Sequence, residues 1–149
     1  PTPIAGAVAI NAIVLDRTGL LARLAPVLRH VLPYLPRDAA GLPTDDLARP
    51  GVEEGAYAWV SARAALSLIS QLPRVRRTLP SVTCPVLVVT SPQDHSVDPA
   101  NGDAIVGALT AAPVERLLCE RSYHVPQLDY DADLVEERVL RFVAAATGA

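Results

Sequence analysis

A chain of 149 residues has the length of one ordinary domain, and with 50% hydrophobic and 19% charged residues it can bury a core rather than remain disordered. A net charge of −3 argues against nucleic acid or an anionic membrane surface as its main partner. Two cysteines without CxxC spacing exclude a disulfide framework. No apolar run of about 18 residues marks a membrane span, and no basic stretch leading into an apolar one marks a signal peptide, so the expected location is cytoplasmic. The chain has neither Met nor Lys, all 13 of its basic residues being Arg, and it opens on Pro1-Thr2-Pro3. That usage, rich in Ala and Arg, fits a GC-rich bacterial genome, and a start without Met is read as that of a fragment.

Gly6 to Val14 is a short, nearly all-apolar run, expected to be a strand buried on both faces. Leu20, Leu21, Leu24, Val27, Leu28, Val31 and Leu32 then recur every three or four residues as a helical stripe, with Pro26 set to kink it or to start a second helix. Pro33 to Gly55 is rich in Pro, Gly and Asp and reads as irregular or short-helical. Tyr57, Val60, Ala64, Leu68 and Leu72 make a second stripe that stops near Pro73, and the cluster Arg74, Arg76, Arg77 reads as a solvated face. Cys84 to Thr90 is a buried strand. Asp98-Pro99 opens a helix to about Leu109, with Ile105, Val106 and Leu109 inward. Pro113 to Cys119 is a third strand, followed by a loop with His124. A last helix starts near Asp129, Asp131 and Asp133, which complement its dipole, and buries Leu134, Val135, Val139, Phe142 and Val143. There is no internal repeat.

Strands alternating with helices imply an α/β fold with a parallel sheet. About 70 residues separate the first two strands, far more than a crossover needs, and inserts of that kind serve as lids over a site. Ligands of such sheets bind at the carboxyl ends of the strands. Asp94 lies four residues past one strand end and His124 five past the next. With strands about 4.8 Å apart, the two side chains can reach each other. They are either plain polar loop residues or a carboxylate orienting an imidazole that acts as general base. His95 and His30 lack that position and read as surface residues, and Asp98 reads as a helix cap. No spacing supports a metal site and no Gly-rich loop supports a nucleotide. Cys84 and Cys119 fall at opposite ends of adjacent strands, roughly 15–20 Å apart, where a disulfide needs about 7 Å, so both are expected free and mostly buried.

Gln93-Asp94-His95-Ser96-Val97 and Ser122-Tyr123-His124-Val125 resemble the acid and histidine motifs of the α/β-hydrolases. The stretch Pro85–Ala100 with Ser122–Asp131 is most similar to the bacterial carboxylesterase and monoacylglycerol-lipase branch. Gly6–Ala12 resembles the strand that follows the nucleophile helix, and residues from 15 to about 72 sit where the family carries its cap. The resemblance implies that residues 1–149 are the C-terminal half of an α/β-hydrolase domain. Its three parallel strands would be flanked by helices and would carry a helical cap insert. The implied activity is hydrolysis of a small acyl ester by a Ser-His-Asp triad, with Asp94 and His124 as catalytic residues, no cofactor and no nucleic-acid partner. An acyltransferase or other hydrolase, or a non-catalytic binding protein on the same fold, are the other readings.

In the family the nucleophile precedes the acid and sits in Gly-x-Ser-x-Gly. Ser61, Ser67, Ser70, Ser81, Ser91, Ser96 and Ser122 are the serines here, and none has that setting. The elbow and the oxyanion loop are therefore expected upstream of Pro1. The isolated chain is expected to lack esterase activity and to associate or stay partly unfolded. The Leu20–Val31 stripe either packs the cap on the core or lines an acyl pocket.

Overall fold

The structure, a computed structural model, describes residues 3–15, 33–37, 43 and 45–148. The stripe expected over Leu20–Leu32, the kink or helix start at Pro26 and His30 lie outside the described residues. Three strands, β1 (Ala7–Ile10), β4 (Val86–Thr90) and β5 (Val114–Leu118), form a parallel sheet in the order β1-β4-β5. Between β1 and β4 lie β2 (Tyr34–Pro36) and β3 (Trp59–Ser61), paired antiparallel, and then α1 (Ala62–Thr78). Helix α2 (Ala100–Ala108) connects β4 to β5, and α3 (Ala132–Thr147) follows β5.

β4 is the axis of the fold. Every one of its residues is buried, as a strand paired on both sides requires. Its side chains alternate between two cores. Leu87 and Val89 pack with Leu117, Cys119, Val135 and Phe142 under α3. Val86 and Val88 pack with Val14, Ile105 and Leu109 under α2. A period of two thus places one helix against each face. Gly102 lets α2 approach closely: a Cβ there would stand 2.3 Å from Thr90 Oγ1.

Three local expectations are corrected. β1 is not buried on both faces: Ala7 and Val8 are exposed, because among the described residues only β4 pairs with it. The second stripe splits. Trp59–Ser61 is strand, and the helix starts at Ala62, where the Ser61 hydroxyl accepts the Ala64 N–H at 3.3 Å. It runs through Pro73 to Thr78, so the proline removes one helical bond without ending the helix, and Arg76 and Arg77 favour the last turn against the dipole. Only Leu72 of α1 is buried. On α3, Val135 and Phe142 are buried and Val139 is partly so, but Leu134 and Val143 are exposed. Asp131 is the N-cap residue of α3 and Asp133 lies in its first turn, where acidic residues were expected, while the Asp129 and Asp131 side chains bond back into the preceding loop.

The cysteines are free, Cys119 buried and Cys84 half-buried. Burial, with the nearby Asp131 charge, pushes the Cys119 thiol up to about 12, which leaves it inert. No helix among the described residues is long and apolar enough to cross a membrane.

The outer side of β1 borders a shallow groove lined by Gly6, Val8, Phe142 and Val143, and Ile4 beside it is exposed. An uncovered strand edge next to apolar surface pairs readily with other chains. Residues 1–149 expressed alone are therefore expected to self-associate, and Val8→Lys is expected to reduce this. A monodisperse monomer with a single cooperative melting transition, read by light scattering and calorimetry, would count against that expectation.

Candidate active site

The site lies at the carboxyl edge of the sheet, where the register pairs Ile10 with Val89 and Thr90 with Leu118. The three strands therefore end level, and the loops that leave them meet. Asp94 follows β4 in a tight turn, its N–H donating to Ser91 O at 3.2 Å. Its Oδ1 accepts the N–H groups of Ser96 at 2.8 Å and Val97 at 2.7 Å, the local bonding that suits Asp to such turns. That leaves Oδ2 pointed at His124 Nδ1, 2.9 Å away. The Asp94 side chain is 1% exposed and the imidazole 29%. An Nδ1–H donated to the carboxylate puts the lone pair on Nε2.

His124 is fixed through its backbone as well. Its N–H donates to Asp46 O at 3.0 Å and its carbonyl accepts Asn11 Nδ2 at 2.8 Å. The bond to Asp94 raises the His124 pKa. Burial opposes the rise, and the charges of Asp94, Asp46 and Glu54 add to it. Within the same loop Ser122 and Asp131 exchange two bonds, and Arg121 donates to Asp131 through both its backbone and its Nε. Burial pushes the Asp131 carboxyl up, but these donors outweigh it and hold it below its usual range.

The structure thus brings Asp94 and His124 together. Asp98 behaves as expected of a cap: its Oδ1 accepts the Ala100 N–H at 2.8 Å, although α2 starts one residue later than expected. His95 is corrected. Its ring is exposed, but Nδ1 lies 2.8 Å from Asp46 Oδ1 and the ring meets Tyr123 edge-on at 4.4 Å. Ser91, Ser96 and Ser122 are committed to Asn11, Asp46 and Asp131. Among the described residues no group of three or more His, Cys, Asp or Glu could hold a metal ion.

Asn11 and Asp46 are missing from the sequence reading. Asn11 is the one polar residue of an apolar run, which was a usable signal. It sits at φ 42°, a left-handed conformation that Asn tolerates better than most residues. Its Oδ1 accepts Ser91 N–H, and its Nδ2 donates to Ser91 Oγ, Tyr123 O and His124 O. Asp46 carries no comparable signal. It is one of several acidic residues in a Pro- and Gly-rich stretch, and its partners lie about fifty positions away.

No family model matches the chain. A thermostable monoacylglycerol lipase of Bacillus sp. (strain H-257) is 35% identical to it over 103 residues, 69% of this chain and 41% of that protein. A chain from the metagenome-derived lipolytic enzymes LipS and LipT superposes with a TM-score of 0.81 at 35% identity, covering 93% of this chain and 54% of that one. The chain is lipase- and esterase-like, and its fold is the later half of an α/β-hydrolase. The monoacylglycerol lipase of Paleococcus ferrophilus shares that fold, with a TM-score of 0.74 at 17% identity over 96% of this chain and 60% of its own. The chain therefore spans about half the length of the relatives it matches.

The α/β-hydrolase edge here depends on Asn11 for its closure. Asn11→Ala removes four hydrogen bonds and leaves a Cβ residue at positive φ, so a loss of about 2–4 kcal/mol is expected in denaturant unfolding of the full-length protein. Asn11→Gly, which relieves the backbone but not the bonds, is expected to lose less.

Proposed function

We propose that the full-length protein carrying this chain hydrolyses carboxylic esters of a single acyl chain, of the monoacylglycerol kind, with Asp94 and His124 as two members of a Ser-His-Asp triad. The observation that carries the reading is the Asp94 Oδ2–His124 Nδ1 contact of 2.9 Å at the ends of adjacent parallel strands. Relatives named as lipases and esterases support it. The nucleophilic serine and the oxyanion donors belong to residues outside these 149, and the segment from 15 to about 72 serves as the cap.

In this mechanism the serine Oγ attacks the ester carbonyl carbon as its proton passes to His124 Nε2. Asp94 keeps the proton on Nδ1 and stabilises the imidazolium. The tetrahedral intermediate collapses with cleavage of the acyl C–O bond, and Nε2 returns the proton to the departing alcohol. Water then repeats the sequence on the acyl-enzyme and releases the acid. No cofactor enters.

His124 acts as a base only when neutral, and its bond to Asp94 raises the pH needed to deprotonate it. The acid limb of kcat/KM is therefore expected above the ordinary imidazole value of 6.5, with activity rising through it as pH increases. In a p-nitrophenyl ester assay, His124→Ala is expected to abolish turnover, and Asp94→Asn to lower kcat by about 10⁴-fold, since the amide favours the wrong tautomer. Full activity in His124→Ala would exclude the triad. The coding sequence upstream of Pro1 is expected to hold Gly-x-Ser-x-Gly within about 30 residues.

A further inference from the structure

The carboxylate of Asp46 comes from the segment between β2 and β3, not from the sheet, yet its side chain is only 2% exposed. It is buried against the loop that bears Asp94. Oδ2 accepts the N–H of His95, the N–H of Ser96 and the hydroxyl of Ser96, each at 3.0 Å, while Oδ1 faces His95 Nδ1 at 2.8 Å. The Ser96 N–H is shared: it also donates to Asp94 Oδ1 at 2.8 Å. The backbone carbonyl of Asp46 takes the N–H of His124. One residue of the inserted segment thus grips both loops of the proposed triad, and its carboxylate converges with that of Asp94 on a single donor.

The segment is itself organised for this. The Asp46 N–H donates to Glu54 Oε2, Glu54 N–H donates to Asp45 Oδ1, and Arg37 donates to both Glu54 Oε1 and Pro43 O. The attachment is reciprocal. Asp129, from the loop of His124, accepts the N–H groups of Ala48 and Arg49 together with that of Tyr123. A buried carboxylate with this many donors cannot leave its seat without exposing unpaired groups, so the stretch around Asp46 is tied to the two loops.

We infer that Asp46 is a positioning residue for ester hydrolysis: by tying the Asp94 turn and the His124 backbone to the inserted segment, it sets the alignment of Asp94 with the imidazole. The inference rests on the proposed roles of Asp94 and His124. It makes the insert a structural part of the reacting centre as well as its cover. Among the described residues, the charged groups facing His124 are Asp94, from the loop after β4, and Asp46 and Glu54, from the insert.

The test is made on the full-length protein with a p-nitrophenyl ester. Asp46→Asn keeps the shape but sets an amide against donors. It is expected to lower kcat by about 10- to 100-fold with KM within about threefold, because misplacement of a reacting group costs rate rather than substrate binding. Loss of the charge is also expected to move the acid limb to lower pH. Ser96→Ala removes one bond and no charge, so it is expected to lower kcat severalfold and leave the limb in place. In protein labelled with ¹⁵N-histidine, the His124 Nδ1–H signal is expected to exchange faster with water in both variants. Melting curves show whether Asp46→Asn is folded at the assay temperature, and if it is not, Ser96→Ala decides alone. Wild-type kcat, acid limb and exchange rate in the folded variants would overturn the inference. If His124→Ala stays active, the triad reading fails instead, so the two failures are distinguishable.

Discussion

Asn11 closes the carboxyl edge of the sheet, and the candidate site depends on that closure. Three parallel strands that end level deliver three loops to one place, but nothing in a parallel ladder tells those loops where to go. A side-chain amide with one acceptor and two donors at the end of β1 can hold both neighbours at once. It takes the Ser91 N–H at the start of the Asp94 loop and gives its protons to Ser91 Oγ and to the carbonyls of Tyr123 and His124. Asn11 adopts a positive φ there, and its amide bonds to loop groups at the edge. An apolar residue there would leave buried backbone groups unpaired in both loops, a cost that recurs for each group.

Aspartate does most of the remaining work. Asp46, Asp94, Asp129 and Asp131 are all buried; the first three each accept from at least two main-chain N–H groups, and Asp131 accepts one together with the Ser122 hydroxyl and Arg121 Nε. An ionised carboxylate offers several lone pairs and bonds amide donors more strongly than a neutral acceptor does, so it can serve as a loop anchor without a cationic partner. Three of the four spend nearly all their capacity on loops, and Asp131 adds Arg121. Only Asp94 has an oxygen turned to the ring of His124. The same residue type thus builds the scaffold and the proposed chemistry, and the division is set by what lies opposite the second oxygen.

The portion from β4 to α3 was legible because its signals are local. A run of apolar residues, an Asp-Pro start and a 3.6-residue stripe each specify one element, and strand-end position alone drew attention to Asp94 and His124. Contact between those two follows from the equal register of β4 and β5, which the lengths of the runs already imply. The β2–β3 pair was not legible. Each strand is three residues long, one ends in proline, and their pairing is a long-range event with no periodic trace. Helix α1 was misjudged in the opposite sense, since Pro73 is a strong local stop that the rest of the helix overrides. Exposure of β1, Leu134 and Val143 was hidden because burial depends on what packs alongside, and apolar character alone does not report it.

The two flanks of this fold are built to different standards, and the contrast has a physical reading. At the carboxyl edge nearly every buried polar group near His124 has a partner, and residues from both sides of the insert contribute them. At the outer flank of β1, Ile4 and Val8 are exposed beside the face of α3 that carries Val143. Hydrophobic surface is non-directional and accepts any apolar partner of suitable shape, whereas a hydrogen-bonded edge accepts only the geometry that satisfies it. The precision needed to hold an imidazole near 3 Å from a carboxylate has therefore been invested where bonding is directional. The β1 flank needs only to be covered, and the loops around Asp94 and His124 do not draw on it: their partners are Asn11, Asp46 and Asp129.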